Sequence, residues 1–368
     1  MSIRVHILTT GFTSPNGTAF LFPLHVHRRR LSDLGIRFRC LTHRSPEVAE
    51  CDALIIDSRF YAPRWARDGS AALDELGSFA EQVPAVLYFD ISDSTGWLQA
   101  QVLPFVSRYC KAQLLRNRET YLRPLYGNRI YADYYHREFG ISDEDPVASR
   151  PVASPEDLAK LRVSWNSGLA DYSLWGPAVM GLRRRLPIDR LLRYPRRFTP
   201  VRRSRPIPFA CRFGVGHTRE TVAYQRRRIR ETLGPRAPTD KLSRRAYLAE
   251  MRSCRAVVSP FGYGEITLKD FEAFLCGALL VKPDMSHMET WPDLYRDGET
   301  IVAHRWDLSD LEERLDDVLA DDSRREAIAE RGQSLYRHHI GSDAGHEEFS
   351  LRFRDIVEES LASPPVGE

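Results

Sequence analysis

Residues 259–292 read SPFGYGEITLKDFEAFLCGALLVKPDMSHMETWP, and this stretch decides the fold class. Gly262 and Gly264 punctuate a loop at its start. The segment from about Thr267 to Cys276 has the apolar spacing of an amphipathic helix, which Gly277 ends. The apolar run ALLVKP then predicts a buried strand. A glycine loop that leads into a helix presents backbone N–H groups and the positive end of the helix dipole, so the stretch predicts an anion pocket.

Length and composition indicate two globular domains. The chain has 368 residues, of which 42% are apolar, and this is enough for each of two domains to bury a core. The net charge is only +3, so the overall charge does not indicate a polyanionic partner. Lysine occurs at only five positions, so nearly all of the 53 basic residues are arginines. An individual arginine is therefore a weak indicator of function in this chain.

The cysteines and the apolar runs exclude several classes of protein. Six cysteines occur without any C-x-x-C pair, which argues against a zinc site and against a disulfide scaffold. No window approaches the roughly 18 apolar residues of a membrane span. The N-terminus lacks the apolar core and cleavage site of a signal peptide. We expect a cytoplasmic protein, with peripheral contact with the inner leaflet of a membrane as a further expectation.

The first half of the chain alternates strands with helices. Four runs with strand character are Ile3–Thr9, Ile36–Leu41, Ala53–Asp57 and Ala85–Asp90. Helical segments follow the first and the third of these runs, which predicts a parallel sheet with helices on both faces. Ligands bind beyond the carboxyl ends of such strands. The polar or glycine positions expected there are Gly11, Asn16, Gly17, Asp90 and Asp93.

The second half repeats this alternation after an Arg- and Pro-rich segment. Residues 183–206 carry many arginines and prolines with little apolar periodicity, as in a linker. We therefore predict an N-terminal Rossmann-like domain over 1–182, a linker over 183–206 and a C-terminal Rossmann-like domain over 207–343. A helix within 344–368 would pack back on the N-terminal domain. The predicted class is α/β, with two Rossmann-like domains facing across a cleft.

The opening stretch also resembles a known signature. SPFGYGEITLKDFEAFLCGALLVKPD is similar to the donor site of two-domain glycosyltransferases of the GT-B group, and the residues after it resemble a bacterial polysaccharide-type subgroup. The usual pattern has a Glu in a glycine loop, seven residues, and a second Glu in an EA-x-x-CG helix. Here six residues separate Glu265 from Glu272, while EAFLCG matches the second half of the pattern.

The resemblance implies roles at the donor site. Glu272 would bind the ribose diol of a nucleotide-sugar, because a carboxylate accepts two hydroxyl hydrogen bonds. The backbone around Gly262, Tyr263 and Gly264 would face the diphosphate or the sugar, and Glu265 would contact sugar hydroxyls. The cations expected near the diphosphate are Lys269, Arg212 and Arg219, each of which is otherwise an ordinary surface charge. The nucleotide-sugar is a co-substrate, and neither a metal nor another cofactor is expected.

The acceptor side is expected in the first half of the chain. An inverting enzyme needs a general base there, whereas a retaining one can manage without. Asp93 ranks first, and Asp90 is the second candidate, although an Asp at a strand end is often a cap or turn residue. Asn16, Gly17 and His25 are the remaining acceptor-side candidates, and a histidine on an apolar helix is more often structural. The sequence leaves the donor base, the sugar, the acceptor and the stereochemistry open.

Three functions remain open at this point. The leading one is transfer of a sugar from a nucleotide-sugar onto a hydroxyl of a glycan, a lipid-linked or a small-molecule acceptor. A nucleotide-sugar 2-epimerase shares the architecture but needs no separate acceptor pocket. The third is non-enzymatic binding of nucleic acid or another anionic surface through the arginines of 183–205. This segment contains no known motif for reading a nucleic-acid sequence, so no specific nucleic acid is expected.

Overall fold

The N-terminal half forms a six-stranded parallel sheet. The computed structural model describes residues 2–65, 67–145, 148, 151–186 and 189–363. The strands of the first half are β1 (Ile3–Leu8), β2 (Ile36–Leu41), β3 (Ala53–Asp57), β4 (Ala85–Asp90), β5 (Arg108–Lys111), β6 (Gln113–Leu115) and β7 (Leu161–Val163). The sheet order is β2-β1-β3-β4-β5-β7, and every neighbouring pair is parallel.

Six helices accompany this sheet. They are α1 (Pro15–Val26), α2 (Arg28–Asp33), α3 (Ser58–Trp65), α4 (Gly69–Gln82), α5 (Ile130–Phe139) and α6 (Gly176–Arg185). Helix α1 begins at Pro15, because the Ser14 hydroxyl accepts a hydrogen bond from the Gly17 amide and Pro15 occupies the first turn. The glycine loop after β1 is therefore short, and α1 starts close to the end of the strand.

The C-terminal half forms a second parallel sheet. Its strands are β8 (Ile207–Ala210), β9 (Cys254–Val258), β10 (Leu279–Pro283) and β12 (Val302–His304), in the order β12-β10-β9-β8. Strand β11 (Met288–Thr290) lies outside this sheet. The helices are α7 (Glu220–Leu233), α8 (Arg244–Ser253), α9 (Leu268–Cys276), α10 (Leu311–Ala320), α11 (Asp322–Gly341) and α12 (Asp343–Leu361). Two Rossmann-like sheets confirm the predicted fold class.

The two halves are joined by more than the connecting segment. β6 of the first half pairs antiparallel with β11 of the second, with Leu115 opposite Met288. Helix α12 crosses back and packs against α2, β3 and β4. Its Phe349 ring lies 5.2 Å from the ring of Trp165. These contacts bury apolar surface between the halves and hold the two sheets with a cleft between them.

The order and burial of the strands fix where the site lies. Strand β4 is buried along its whole length, and so is β10, as expected for central strands of parallel sheets covered on both faces. Asp90 is the last residue of β4 and Asp93 lies just after it, while the loop at 259–267 follows β9, so both segments reach the cleft from strand ends. None of the helices within the described residues is long and apolar enough to span a membrane.

Candidate active site in the cleft

Three cavities lie along the cleft. The central cavity, about 280 Å³, is lined by residues from both halves, among them Asn16, Asp93, Trp165, Tyr263, Gly264 and Thr267. A second, the Glu272 cavity, measures about 300 Å³ and is lined by residues including Phe12, Pro15, Tyr172, Met180, Leu268 and Glu272. A third, the Trp cavity, measures about 230 Å³ and is lined by residues including Arg59, Trp65, Asp93, Trp97, Arg129 and Tyr263.

The central cavity adjoins the other two. Pro15 and Leu268 line both the central cavity and the Glu272 cavity. Asp93 and Tyr263 line both the central cavity and the Trp cavity. The three spaces therefore form one branched site, with the loop around Tyr263 at its centre.

The loop at 262–264 is held by side chains of the opposite half. The Tyr131 hydroxyl donates to the carbonyls of Gly262 and Tyr263, at 3.1 and 3.0 Å. Arg129 Nε donates to the Tyr263 carbonyl at 2.9 Å, and its guanidinium lies 3.5 Å from the centre of the Tyr263 ring. Residues of α5 and of the turn before it thus fix the loop against the N-terminal half.

Gly264 has a steric reason to be glycine. A Cβ atom at this position would lie 1.8 Å from the Asp93 carbonyl oxygen, well inside any tolerated contact. The loop after β9 and the loop after β4 therefore touch backbone to backbone at the bottom of the cleft. Asp93 and Gly264, one from each loop, both line the central cavity.

Glu265 does not take the position that the resemblance implies. It is fully buried, and its carboxylate accepts from the Thr95 hydroxyl at 2.7 Å and from the Thr95 amide at 3.0 Å. Ser94 donates a further hydrogen bond at 3.3 Å. The expectation that Glu265 contacts sugar hydroxyls is corrected by this geometry, because the side chain points into the other half of the protein. Gly264 lines the cavity in its place.

Glu272 lies on the wall of its cavity with fixed orientation. Arg244 donates to one carboxylate oxygen at 2.8 Å, and the Tyr247 hydroxyl donates to the other at 3.0 Å. Burial raises the pKa of Glu272 despite these hydrogen bonds. Arg244 also donates to the carbonyls of Tyr172 and Ser173, each at 2.9 Å. The arginine thereby fixes both Glu272 and the loop that covers it.

Sequence reasoning missed Arg244. It lines the Glu272 cavity as a cation, which is the type of group that an anionic ligand needs there. Its position at the first turn of α8, directly after the capping Ser243, carries no signal in the sequence, and in a chain so rich in arginine its residue type is uninformative.

The start of α9 opens toward the central cavity. Thr267 caps the helix, and its amide donates to Asp270 at 3.0 Å. Thr267 and Leu268 both line the cavity, so the N-terminal end of α9, where the helix dipole is positive, borders this space. Beneath it, Lys282 forms a buried ion pair with Asp270 at 3.0 Å, which fixes the helix start from below.

Asp93 and Asn16 are brought together across the central cavity. Asn16 Nδ2 donates to Asp93 Oδ1 at 2.6 Å and to the Ile91 carbonyl at 2.7 Å. The Gln113 side chain donates to the Asp93 carbonyl. Asp93 is half-buried and lines both the central cavity and the Trp cavity. The geometry therefore presents one oriented carboxylate to both spaces.

Asp90 is not placed as a catalytic group. It is buried, and one of its oxygens accepts from Lys111 at 2.8 Å and from the Tyr109 hydroxyl at 2.7 Å. The Lys111 ammonium holds the pKa of Asp90 below its usual range, although burial alone would raise it. Asp90 lines both the central cavity and the Trp cavity, but Lys111 engages its carboxylate in a buried ion pair, so Asp93 is the better placed of the two as a base.

The three cations expected at the diphosphate are engaged elsewhere. Arg212 chelates Glu250, with its closest contact at 2.7 Å, and Lys269 donates to the Arg212 carbonyl. Burial lowers the pKa of Lys269 to about 8. Arg219 reaches across to the Asp145 carbonyl at 2.8 Å. None of the three lines any of the cavities as the described residues define them, so these expectations are corrected.

Gly17 and His25 are structural in the N-terminal half. A Cβ atom on Gly17 would lie 2.7 Å from the Gly11 carbonyl, so Gly17 permits the tight turn into α1. His25 is buried, with Nδ1 3.0 Å from Asp189 and its ring against Phe12. Burial lowers the pKa of His25. His25 lines none of the three cavities described here, so its expected acceptor-side role is corrected.

Comparison with known proteins gives one family match. Residues 200–344, which include β8 to α11, match the model of a family described as glycosyl transferase-like. Among curated proteins, none matches the sequence. The match confirms the predicted class of this half of the chain, a glycosyltransferase domain, and hence that the protein is an enzyme.

Three solved structures illustrate the similarity of the whole chain. HepE of Anabaena, solved with UDP-glucose, has 10% identity and a TM-score of 0.45, over 96% of this chain and 100% of that one. A glycosyltransferase of Rickettsia africae has 9% identity and a TM-score of 0.46, over 99% and 100%. Sucrose-phosphate synthase of Thermosynechococcus elongatus has 11% identity and a TM-score of 0.44, over 97% and 100%.

Proposed function

We propose that this glycosyltransferase moves a sugar from a nucleoside-diphosphate sugar onto a hydroxyl of a carbohydrate acceptor. The observation that carries the proposal is the order of groups along one wall of the cleft. Glu272 lies in its own cavity, the start of α9 lies beside it, and Gly264 lies beyond, in the central cavity. A nucleotide-sugar needs, in the same order, a diol acceptor, an anion site and room for a sugar.

The nucleoside would occupy the Glu272 cavity. Its ribose hydroxyls would donate to the Glu272 carboxylate, which Arg244 and Tyr247 already orient. The largely apolar walls formed by Phe12, Pro15 and Met180 suit the flat face of a base. Measurement of nucleotide binding identifies the nucleobase.

The diphosphate would lie at the start of α9. The N–H groups of the first turn and the helix dipole stabilise an anion at this position. As the bond to the sugar breaks, negative charge grows on the leaving phosphate, and preorganised donors favour that state over the ground state. We assign this role to α9 and Arg244 and do not invoke a metal ion or another cofactor.

The acceptor would enter through the Trp cavity. Trp65, Trp97 and Tyr263 offer flat apolar faces, and Arg59 and Arg129 supply polar groups around them. Sugar rings have apolar faces and polar edges, so this lining suits a carbohydrate, including an anionic one. Asp93 lies where this cavity meets the central one, within reach of both substrates, and is our candidate general base in an inverting reaction.

The Trp cavity also bears on the second candidate, a nucleotide-sugar 2-epimerase. An epimerase acts on its nucleotide-sugar alone and needs no separate acceptor space. The presence of a second cavity that shares Asp93 and Tyr263 with the central one favours transfer. A screen of donors with and without acceptors distinguishes the two reactions, because only transfer consumes the donor in proportion to the acceptor.

The experiment is a donor and acceptor screen with the purified full chain. UDP-, GDP-, ADP- and CMP-linked sugars are incubated singly, with and without a mixture of neutral and acidic oligosaccharides, and free nucleotide is measured. We expect one donor to release nucleotide slowly alone and faster with one acceptor class. A change of the donor sugar into its epimer, without acceptor dependence, would establish the epimerase instead. The transferase proposal fails if no donor is consumed.

The exposed arginines of 183–205 motivate a proposal on location. Arg196, Arg197, Arg202 and Arg203 are exposed, and a basic surface favours contact with anionic lipid headgroups. We propose a cytoplasmic enzyme in peripheral contact with the inner leaflet, where a lipid-linked glycan is one acceptor that it would meet. Nonspecific binding of nucleic acid to the same arginines is the competing possibility.

A further inference from the structure

Helix α6 and the residues at its two ends carry an apolar stripe that faces solvent. Trp175, Val179, Leu182 and Leu186 are spaced four, three and four residues apart, which places them on one side of a helix. Trp175 is 71% exposed, Leu182 46% and Leu186 48%. A surface helix of a globular protein normally turns such a stripe toward the core. Here Val179 is half-buried and the other three side chains are left exposed.

The opposite side of α6 explains this orientation. Pro177, Met180, Gly181 and Arg184 all line the Glu272 cavity. The helix is therefore a thin wall, with the cavity on one side and solvent on the other. The apolar side chains on the solvent side are not among the residues that line the cavity.

The segment of chain that holds the stripe is rich in positive charge. Residues 175–205 contain ten arginines and a single acidic residue, Asp189. Arg184 and Arg185 are exposed at the end of the helix, and within the described part of the chain neither forms an ion pair. Asp189 itself is shared by Arg183 and His25, so it does not neutralise them.

We propose that the outer face of α6, defined by Trp175, Val179, Leu182 and Leu186, docks onto an anionic lipid bilayer. A row of apolar side chains flanked by arginines matches a bilayer surface, because the apolar groups enter the acyl boundary while the guanidiniums meet lipid phosphates. Tryptophan at one end of the row suits the headgroup level. Docking would bring the Glu272 cavity and the cleft mouth beside the membrane.

The apolar stripe favours a bilayer over nucleic acid. A nucleic-acid backbone needs the arginines alone and gains nothing from exposed leucines. A bilayer needs both features, and its affinity would depend on both. This docking does not depend on which sugar is transferred, so vesicle binding and catalysis can succeed or fail separately.

The test is sedimentation of the full chain with vesicles of phosphatidylcholine alone and of phosphatidylcholine containing phosphatidylglycerol. We expect binding to the anionic vesicles only. The triple variant Trp175→Ser, Leu182→Ser, Leu186→Ser should bind at least about tenfold more weakly, since the buried apolar area is lost. Arg185→Glu should weaken binding and make its loss with salt less steep, because fewer charge contacts remain to be screened. Each replaced side chain is exposed, so the variants should keep the wild-type melting temperature.

Matched controls lie elsewhere on the surface. Phe139→Ser with Val152→Ser removes two other exposed apolar side chains, and Arg37→Glu reverses an exposed charge on β2; both should bind like the wild type. The proposal is overturned if the wild type does not sediment with anionic vesicles, or if the triple variant binds as well. It is also overturned if the stripe proves to hold two copies together in lipid-free solution, or if a DNA duplex binds equally to wild type and triple variant and displaces the vesicles.

Discussion

The Glu265 carboxylate accepts hydrogen bonds from both the hydroxyl and the amide of Thr95, at 2.7 and 3.0 Å. These residues belong to opposite halves of the protein, and both are fully buried. The Glu265 carboxylate of the donor-site loop thus links the two Rossmann-like halves of the protein through hydrogen bonds. With the grip of Arg129 on Tyr263, it holds the loop at 262–265 against the N-terminal half.

Glu265→Ala should therefore reduce stability more than it affects the donor. The change leaves the Thr95 amide and hydroxyl buried without an acceptor, which costs roughly 3 kcal/mol of unfolding free energy. Urea denaturation measures the loss, and Glu138→Ala, at an exposed position of α5, serves as the control. A variant with unchanged stability but lost nucleotide binding would instead return Glu265 to the donor site.

Gly264→Ala should be strongly destabilising. The new Cβ atom would meet the Asp93 carbonyl at 1.8 Å, and both partners are backbone, so neither can swing away. We expect a loss of about 3 kcal/mol or more. Gly216→Ala is the control, since nothing lies within 4 Å of a Cβ atom there. Equal melting temperatures for the two variants would contradict the close approach of the two loops.

Asp93→Asn should lower turnover and leave donor affinity nearly unchanged. The amide keeps the size of the side chain and can still bond to Asn16, but it cannot take a proton from an acceptor hydroxyl. The expected loss in kcat is roughly 10²- to 10⁴-fold. Asp57→Asn, at the end of the neighbouring strand, is the matched control because Asp57 lines none of the three cavities described here. Full activity of Asp93→Asn would remove the residue from the base role.

Asp57 should also give the protein a pH dependence of stability. Burial raises the pKa of Asp57 to about 6, despite hydrogen bonds from Thr9 and the Arg59 amide at 2.8 Å each. The folded state then binds a proton more tightly than the unfolded state. This contribution is present at low pH and is lost as the pH rises from about 4 through about 6, by up to about 3 kcal/mol.

The measurement is the urea midpoint between pH 4.5 and 7, compared for wild type and Asp57→Asn. We expect the variant to gain stability relative to the wild type as the pH rises. Asp52→Asn should give a curve parallel to that of the wild type over this range, because hydrogen bonds from Arg4 lower the pKa of Asp52 and its titration lies at more acid pH. Parallel curves for wild type and Asp57→Asn would show that burial does not perturb this carboxyl.

Much of the fold can be predicted from the sequence, because buried positions in strands and helices are occupied mainly by apolar residues. The runs Ile36–Leu41, Ala53–Asp57 and Ala85–Asp90 are strands with the predicted bounds, since continuous apolar or alternating patterns suit a parallel sheet. Strands β6 and β11 were not predicted. Each has only three residues and exists because the other half of the chain pairs with it, which no local pattern records.

The site was harder to predict because its groups are defined by partners distant in the chain. The patterns that single out Glu272 and Asp93 are local, namely a glycine-stopped helix and a strand end. Glu265 and Asp90 fit the same local patterns. In the structure, however, the Glu265 carboxylate accepts a hydrogen bond from Thr95, and the Asp90 carboxylate forms an ion pair with Lys111. Arg244 is the opposite case: no local pattern predicts a role for it, and its role arises from contact with Glu272, 28 positions away.

The most direct test of the account is calorimetric titration of nucleoside diphosphates into Glu272→Gln. Glu75→Gln is a close control, because Glu75 also accepts hydrogen bonds from a tyrosine and an arginine, Tyr61 at 2.6 Å and Arg64 at 3.0 Å, away from the cleft. We predict that one nucleoside diphosphate binds wild type and Glu75→Gln equally, and Glu272→Gln at least about tenfold more weakly. Equal affinity for all three proteins would contradict the assignment of the donor to the Glu272 cavity.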